Sequence, residues 1–209
     1  MLGLDIIKGL VISQGLFETL KVQQVPGMSF EALWRHCQAV GCLAKKIMQT
    51  ENQDRVLIDQ AFIAGIMHDV GKLVLATIKT KEYNAVIKAV HKSNHPVITV
   101  ERKVFNVTHG EVGAYLLGLW GVHENVVGAI ALHNNPVYTS ALGGGSGRLL
   151  LAAVHAANVF DHQLRVINPT YARPGLEQGF LHDANLLEKI PAWERACQEL
   201  ARRKGGEWT

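Results

Sequence analysis

The chain has 209 residues with a formal net charge of +3 and ten histidines. At roughly 100–200 residues per domain this is one domain, and 48% hydrophobic against 19% charged residues excludes intrinsic disorder. The weak positive charge, with no clustered basic stripe, argues against nucleic acid as a partner. Three cysteines, Cys37, Cys42 and Cys197, leave one unpaired and argue against a disulfide scaffold and for the cytoplasm.

Helical periodicity runs through most of the chain. Ile6, Ile7, Leu10, Val11 and Leu16 open a first helix. After Pro26 and Gly27, Ser29 is placed to cap a second helix to about Met48, with Leu33, Cys37, Val40 and Ala44 on one face. Asp54 or Asp59 leads into a third, Ile58 to Met67. His68-Asp69-Val70-Gly71-Lys72 interrupts it, and Leu73 to Ile78 resumes. Lys81 to Lys92 is amphipathic, and Pro96 suits the first turn of a helix over Val97 to Phe105. Thr108-His109-Gly110-Glu111 has capping-box spacing ahead of a helix to about Trp120. Glu124 to Leu132 forms another, ended by Asn134-Asn135-Pro136. Gly143 to Gly147 reads as a flexible loop without the ending of a phosphate loop. Arg148 to Leu164 is a strong helix, 166–182 is irregular, and Ala184 to Arg203 reads as two short helices around Pro191. With no alternating strands, the expected fold is an all-α bundle. No basic leader is evident, and no apolar run approaches the ~18 residues of a membrane span; no membrane partner is expected.

The sharpest local signal is His68-Asp69 at a helix break. Imidazole nitrogen and carboxylate oxygen can both reach one cation there. Gly71 would permit the break, and Lys72 could meet a phosphate as a point charge. His36 lies on an otherwise apolar helix face, His109 follows an N-cap, and His133 closes a helix. His155 and Asn158 share a face of the Arg148–Leu164 helix. Taken singly, each has a plainer reading: a buried His–Asp pair joining helices, or a hydrogen-bonded core histidine.

Together, His36, His68-Asp69 with Gly71-Lys72, Glu101, His109 with Gly110-Glu111-Val112-Gly113, Leu117, Trp120, and His133 with Pro136 resemble the HD-related output domain (HDOD) family. That family is a branch of the HD superfamily of metal-dependent phosphohydrolases. The resemblance covers roughly residues 1–165 and implies a compact all-α bundle, with 166–209 packing on the same domain as an irregular segment and short helices. It implies a bacterial signal-transduction output module acting through protein partners or an upstream sensory or receiver domain. It implies metal ligands at His36, His68, Asp69, His109, His133 and Asn158. Glu101 and His155 would be partners that orient those ligands. The cofactor would be a divalent metal (Mg, Mn, Fe, Ni or Zn), and the ligand a nucleotide or phosphoester.

Two departures from the family pattern bear on activity. Catalytic relatives carry Asp where this chain has Asn158, and a neutral amide is a poorer ligand for a hard cation. The neighbouring Asp161 is expected to miss the site. Related phosphodiesterases carry His-His where this chain has His133-Asn134, and their Gly-Tyr-Pro signature is absent. A single-metal or empty, degenerate pocket therefore fits better than a two-metal clamp. The alternative is a metal-dependent phosphohydrolase in which Asp69 helps hold the cation and Lys72 neutralises developing charge. The resemblance also implies a helical lobe ahead of Leu2 that this sequence lacks. His91, His95, His123, His162 and His182 read as incidental.

Overall fold

In the computed structural model, which describes residue 15 and residues 25–52, 54–93, 95–136, 144–165 and 173–203, short side-chain caps set the helix starts. Ser29 accepts from the Ala32 amide at 3.2 Å to open α1 (Phe30–Glu51). Asp54 accepts from Val56 to open α2 (Arg55–Met67). After a break at His68 and Asp69 come α3 (Val70–Ile78), α4 (Thr80–Ser93) and α5 (Val97–Phe105). Asn106 ends α5 in the left-handed conformation at φ 59°, a region that Asn tolerates better than most residues. The Thr108–Glu111 capping box, complete in both directions, starts α6 (His109–Leu119). Then follow α7 (Glu124–Leu132), α8 (Gly144–Leu164), α9 (Gln178–Asp183), a 3-10 turn at Leu187–Lys189 and α10 (Ile190–Arg203). All regular elements among the described residues are helices, as the periodicity predicts.

The long helix α8 forms the axis of the bundle. Every residue from Leu150 to Asp161 is buried, the signature of a helix enclosed on all sides. Helices α1, α2, α7 and α10 pack around it, and α3 packs on α6. A single large core joins Leu43, Ile47, Met67, Ile130, Leu151 and Phe160 to Leu181, Trp193 and Cys197 of the C-terminal helices. Trp193 is fully buried, and its Nε1–H donates to Glu51 Oε1 at 2.8 Å, so α10 is pinned to the end of α1.

Several local expectations change. Gly144 to Gly147 belong to α8, because that helix starts earlier than its apolar stripe. Residues 178–182, part of the stretch read as irregular, belong to α9, which extends to Asp183 around the buried Phe180 and Leu181. Pro191 does not divide two helices; it sits in the first turn of one 14-residue helix, where its missing N–H costs nothing. Gly71 does not open the break. It lies inside α3, where a Cβ would come 1.9 Å from the His109 carbonyl oxygen; close approach of α3 to α6 is what requires glycine. Counted through the break, Arg55–Ile78 is 24 residues long and holds an 18-residue window of mean hydropathy 1.5, apolar enough to span a membrane, but 72% of that window is buried in the bundle. The expected helix near Ile6–Phe17 lies outside the described residues, Gly15 excepted.

Candidate metal centre

The interrupted α2–α3 rod positions the centre of the site. His68 remains near helical geometry (φ −56°, ψ −33°), whereas Asp69 turns to φ −103°, ψ 6°. Both side chains thereby face inward and are essentially inaccessible to solvent. His36 arrives from α1, His109 from the first turn of α6, and His133 from the end of α7. Thus four histidines from four helices meet around the one carboxylate of Asp69.

Each of the four histidines spends Nδ1 on an outward acceptor. His36 Nδ1–H donates to Asp161 Oδ2 at 2.6 Å, His68 to the Gly65 carbonyl at 2.7 Å, His109 to Glu101 Oε2 at 2.7 Å and His133 to the Ile130 carbonyl at 2.8 Å. Such partners fix ring orientation and tautomer, leaving Nε2 for a ligand. The Nε2 atoms form two triads that share Asp69. Asp69 Oδ2 stands 3.7 Å from His36 Nε2 and 3.5 Å from His68 Nε2. Asp69 Oδ1 stands 3.1 Å from His109 Nε2 and 3.7 Å from His133 Nε2. Within each triad the ligand atoms lie within 4.8 Å of one another.

The first triad fits a divalent cation. His36 Nε2 and His68 Nε2 are 3.1 Å apart, and with both protons on Nδ1 two lone pairs face each other. Only a cation or a proton between them relieves that repulsion. Burial pushes the His68 imidazole down to about 3, which disfavours the proton. The second triad is covered by Asn134, whose Nδ2 lies 2.9 Å from His109 Nε2 and 2.6 Å from His133 Nε2. An amide donor thus occupies the lone pairs that a second cation would use.

The electrostatics are arranged to keep Asp69 ionised. Burial alone would raise its carboxyl, but the Lys72 ammonium and His109 hold it well below the usual carboxylate range. Lys72 Nζ lies 2.6 Å from Asp69 Oδ2. Burial also pushes His133 well down. Burial opposes charge on His109 too, but the Glu101 carboxylate beside it raises its pKa overall. Glu101 in turn accepts from the His109 amide at 2.9 Å and the Tyr83 hydroxyl at 3.2 Å.

His155 does not reach the triads with a ring nitrogen. Its Nδ1–H donates to the His133 carbonyl at 2.8 Å and its Nε2 accepts from the Glu177 amide at 3.0 Å. Asn158 is 4% exposed, and its Oδ1 has no hydrogen-bond partner; it lines a cavity beside His133. Two residues escape the sequence reading. Asp161, expected to miss the site, is fully buried against His36. His162, read as incidental, packs its ring centroid 4.9 Å from that of His36. The spacing His155, Asn158, Asp161, His162 is i, i+3, i+6, i+7, and i+3 keeps one helix face as well as i+4 does. Two cavities flank the centre, about 140 Å³ on the His36 side and about 280 Å³ on the His133 side, and Lys72 and His162 border both.

Comparison with known proteins accords with this geometry. Residues 1–136 match the family model described as HDOD domain. A Marinobacter aquaeolei VT8 protein, provisionally named for signal transduction, superposes with TM-score 0.72 at 23% identity, over 99% of this chain and 44% of its own. An HDOD domain protein of unknown function from Geobacter sulfurreducens gives 0.71 at 21% identity, over 100% of this chain and 72% of its own. The MmoQ response regulator from Methylococcus capsulatus str. Bath gives 0.54 at 24% identity, over 92% of this chain and 70% of its own. In sequence, an uncharacterised Treponema pallidum (strain Nichols) protein is 25% identical over 103 residues, 49% of this chain and 20% of that protein. The chain thus spans a fifth of that curated relative and under half of the Marinobacter protein.

Proposed function

Because the chain belongs to the HDOD domain family, whose model covers more than half of its length, we propose that it is a cytoplasmic signal-transduction output module built on a degenerate HD-type metal pocket. It passes a signal from a sensory or receiver domain by binding a ligand or partner. The observation that carries this reading is Asn134. Its amide bridges the Nε2 atoms of His109 and His133, so the second triad is satisfied internally, while the first retains opposed lone pairs and an ionised carboxylate. The names of the structural neighbours, a signal-transduction protein and a response regulator, support the regulatory half of the reading.

His36, His68 and Asp69 would hold the cation, and the mixed imidazole–carboxylate set suits Mn, Fe, Ni or Zn better than Mg. When bound, such a cation supplies Lewis acidity and a lowered pKa for bound water. Asp161 orients His36, the Gly65 carbonyl orients His68, and Lys72 offsets charge at Asp69. The carboxylate shared by two triads supports a second reading, a metal-dependent phosphohydrolase in which Lys72 also meets the phosphate.

Metal analysis of the purified chain, then a phosphoester hydrolysis screen with His68→Ala and Asp69→Ala controls, separates the two. The proposed module binds about one metal per chain, loses it in both variants, and shows no turnover that the variants abolish. Turnover lost in both variants establishes the hydrolase instead. A chain that takes up no metal under loading conditions refutes a metal pocket in either form.

A further inference from the structure

We propose that the solvent face of α6 is a dimerisation surface, on which a second copy of this chain lays its own α6 antiparallel about a twofold axis beside Tyr115. The inference goes beyond the output-module reading and does not depend on the metal pocket.

Helix α6 has two apolar faces. One is spent: Gly110, Gly113, Ala114 and Leu117 are buried against the bundle. The other is open. Val112, Tyr115 and Leu119 follow one another at spacings of three and four residues, the register of a helix–helix seam. Tyr115 is 72% and Leu119 66% exposed. Val107 stands just before the Thr108 cap, where an apolar residue meets the fourth position of the helix, here Val112. Trp120 closes the other end, and both Val107 and Trp120 are exposed.

Charge separates this face from an ordinary wet one. The exposed side of α4 carries Lys81, Glu82, Lys88 and Lys92. Apart from the buried His109, the one charged side chain of α6 is Glu111, and Arg102 Nη2 neutralises it at 2.8 Å.

Self-complementarity names the occupant. Reversing α6 about Tyr115 sets Val112 of each copy against Leu119 of the other, with the two aromatic rings meeting at the axis. The two Glu111–Arg102 pairs then lie at opposite ends of the seam as a polar rim. Val107, Tyr115, Leu119 and Trp120 together expose on the order of 400 Å² of side-chain surface. A stable interface takes about 800 Å² from each partner, roughly 60% of it apolar, so this patch supplies most of the apolar area a dimer needs.

The test is sedimentation of the full chain across a concentration series, beside Tyr115→Glu and Leu119→Glu. The wild type is expected to reach twice the chain mass as concentration rises. Either substitution buries an unpaired carboxylate in the seam and is expected to weaken self-association about tenfold or more. Both side chains are exposed in the single chain, so far-UV circular dichroism and Tm, read where the wild type has dissociated, stay unchanged. A second measurement does not rely on those variants. Tyr115→Cys, at the position nearest the axis, is expected to form an interchain disulfide on oxidation with diamide, whereas Val56→Cys, 58% exposed on α2, is not. A wild type that stays monomeric throughout the series overturns the inference. So does a dimer that survives both glutamates, which moves the contact to another surface, and so does equal cross-linking at Tyr115→Cys and Val56→Cys.

Discussion

Asn134 and Glu101 show how single side chains set the chemistry of this pocket. Asn134→Ala uncovers both Nε2 atoms of the second triad. Metal content measured under loading conditions is expected to rise towards two per chain, with the extra metal lost again in His109→Ala. Glu101 is fully buried and accepts from three donors, two on His109 and one on Tyr83. Glu101→Gln keeps the shape but replaces an acceptor by a donor towards one of them. It is expected to lower stability by about 1–3 kcal/mol, read by denaturant unfolding. It also lowers the His109 pKa, read by NMR titration, because the carboxylate that raises it is gone.

At the scale of the element, helix crossings decide whether the ligands meet. The α3–α6 contact places the His109 carbonyl where a Gly71 Cβ would sit, at 1.9 Å. Gly71→Ala must push the two helices apart, with a cost of about 1–3 kcal/mol or more as in other overpacked cores. It moves His109 away from Asp69, so metal retention should fall together with Tm; an unchanged Tm would mean the crossing is looser than described. The α1–α2 crossing is also close, since a Gly65 Cβ would meet the Gly41 Cα at 2.6 Å. That contact brings His36 and His68 within reach. At the far end, Trp193→Phe removes the hydrogen bond to Glu51 while keeping most of the buried ring. A loss of about 1 kcal/mol is expected, with no change in metal content.

Over the whole molecule, buried histidines make stability depend on pH. Burial pushes His68 and His162 down to about 3 and lowers His133 and His155. Below about pH 6.5 the unfolded chain binds protons at these four positions, while the folded chain resists them. Stability rises with pH wherever the unfolded state binds more protons, so these groups withdraw stability as pH falls from about 6.5 towards 3. His109 works the other way: its raised pKa contributes stability below about 6.5, lost as pH rises through the folded value. Asp69 and Glu101, both lowered, add a loss when pH falls below the usual carboxylate range. The four outweigh the one, so Tm of the EDTA-treated chain should drop between pH 7 and pH 4. A flat profile would show that the buried rings are solvated.

Much of this was legible from the chain alone. Capping residues and 3.6-residue periodicity are local, so Ser29, Asp54, Pro96 and Thr108–Glu111 marked helix starts that the structure keeps. The order of His36, His68-Asp69, His109 and His133 pointed to one family because it reflects which turns of a known bundle face inward. What lay beyond reach depends on contacts between distant residues. The inward aim of Asp161 is set by α1 packing on α8, and the role of Gly71 by the His109 carbonyl. The bridging position of Asn134 is set by where the ends of α6 and α7 converge. Sequence determined which donors this protein has and on which helices they ride. Only tertiary packing decided that each Nδ1 is spent outward, that Asp69 is shared, and that an amide covers one of its two sides.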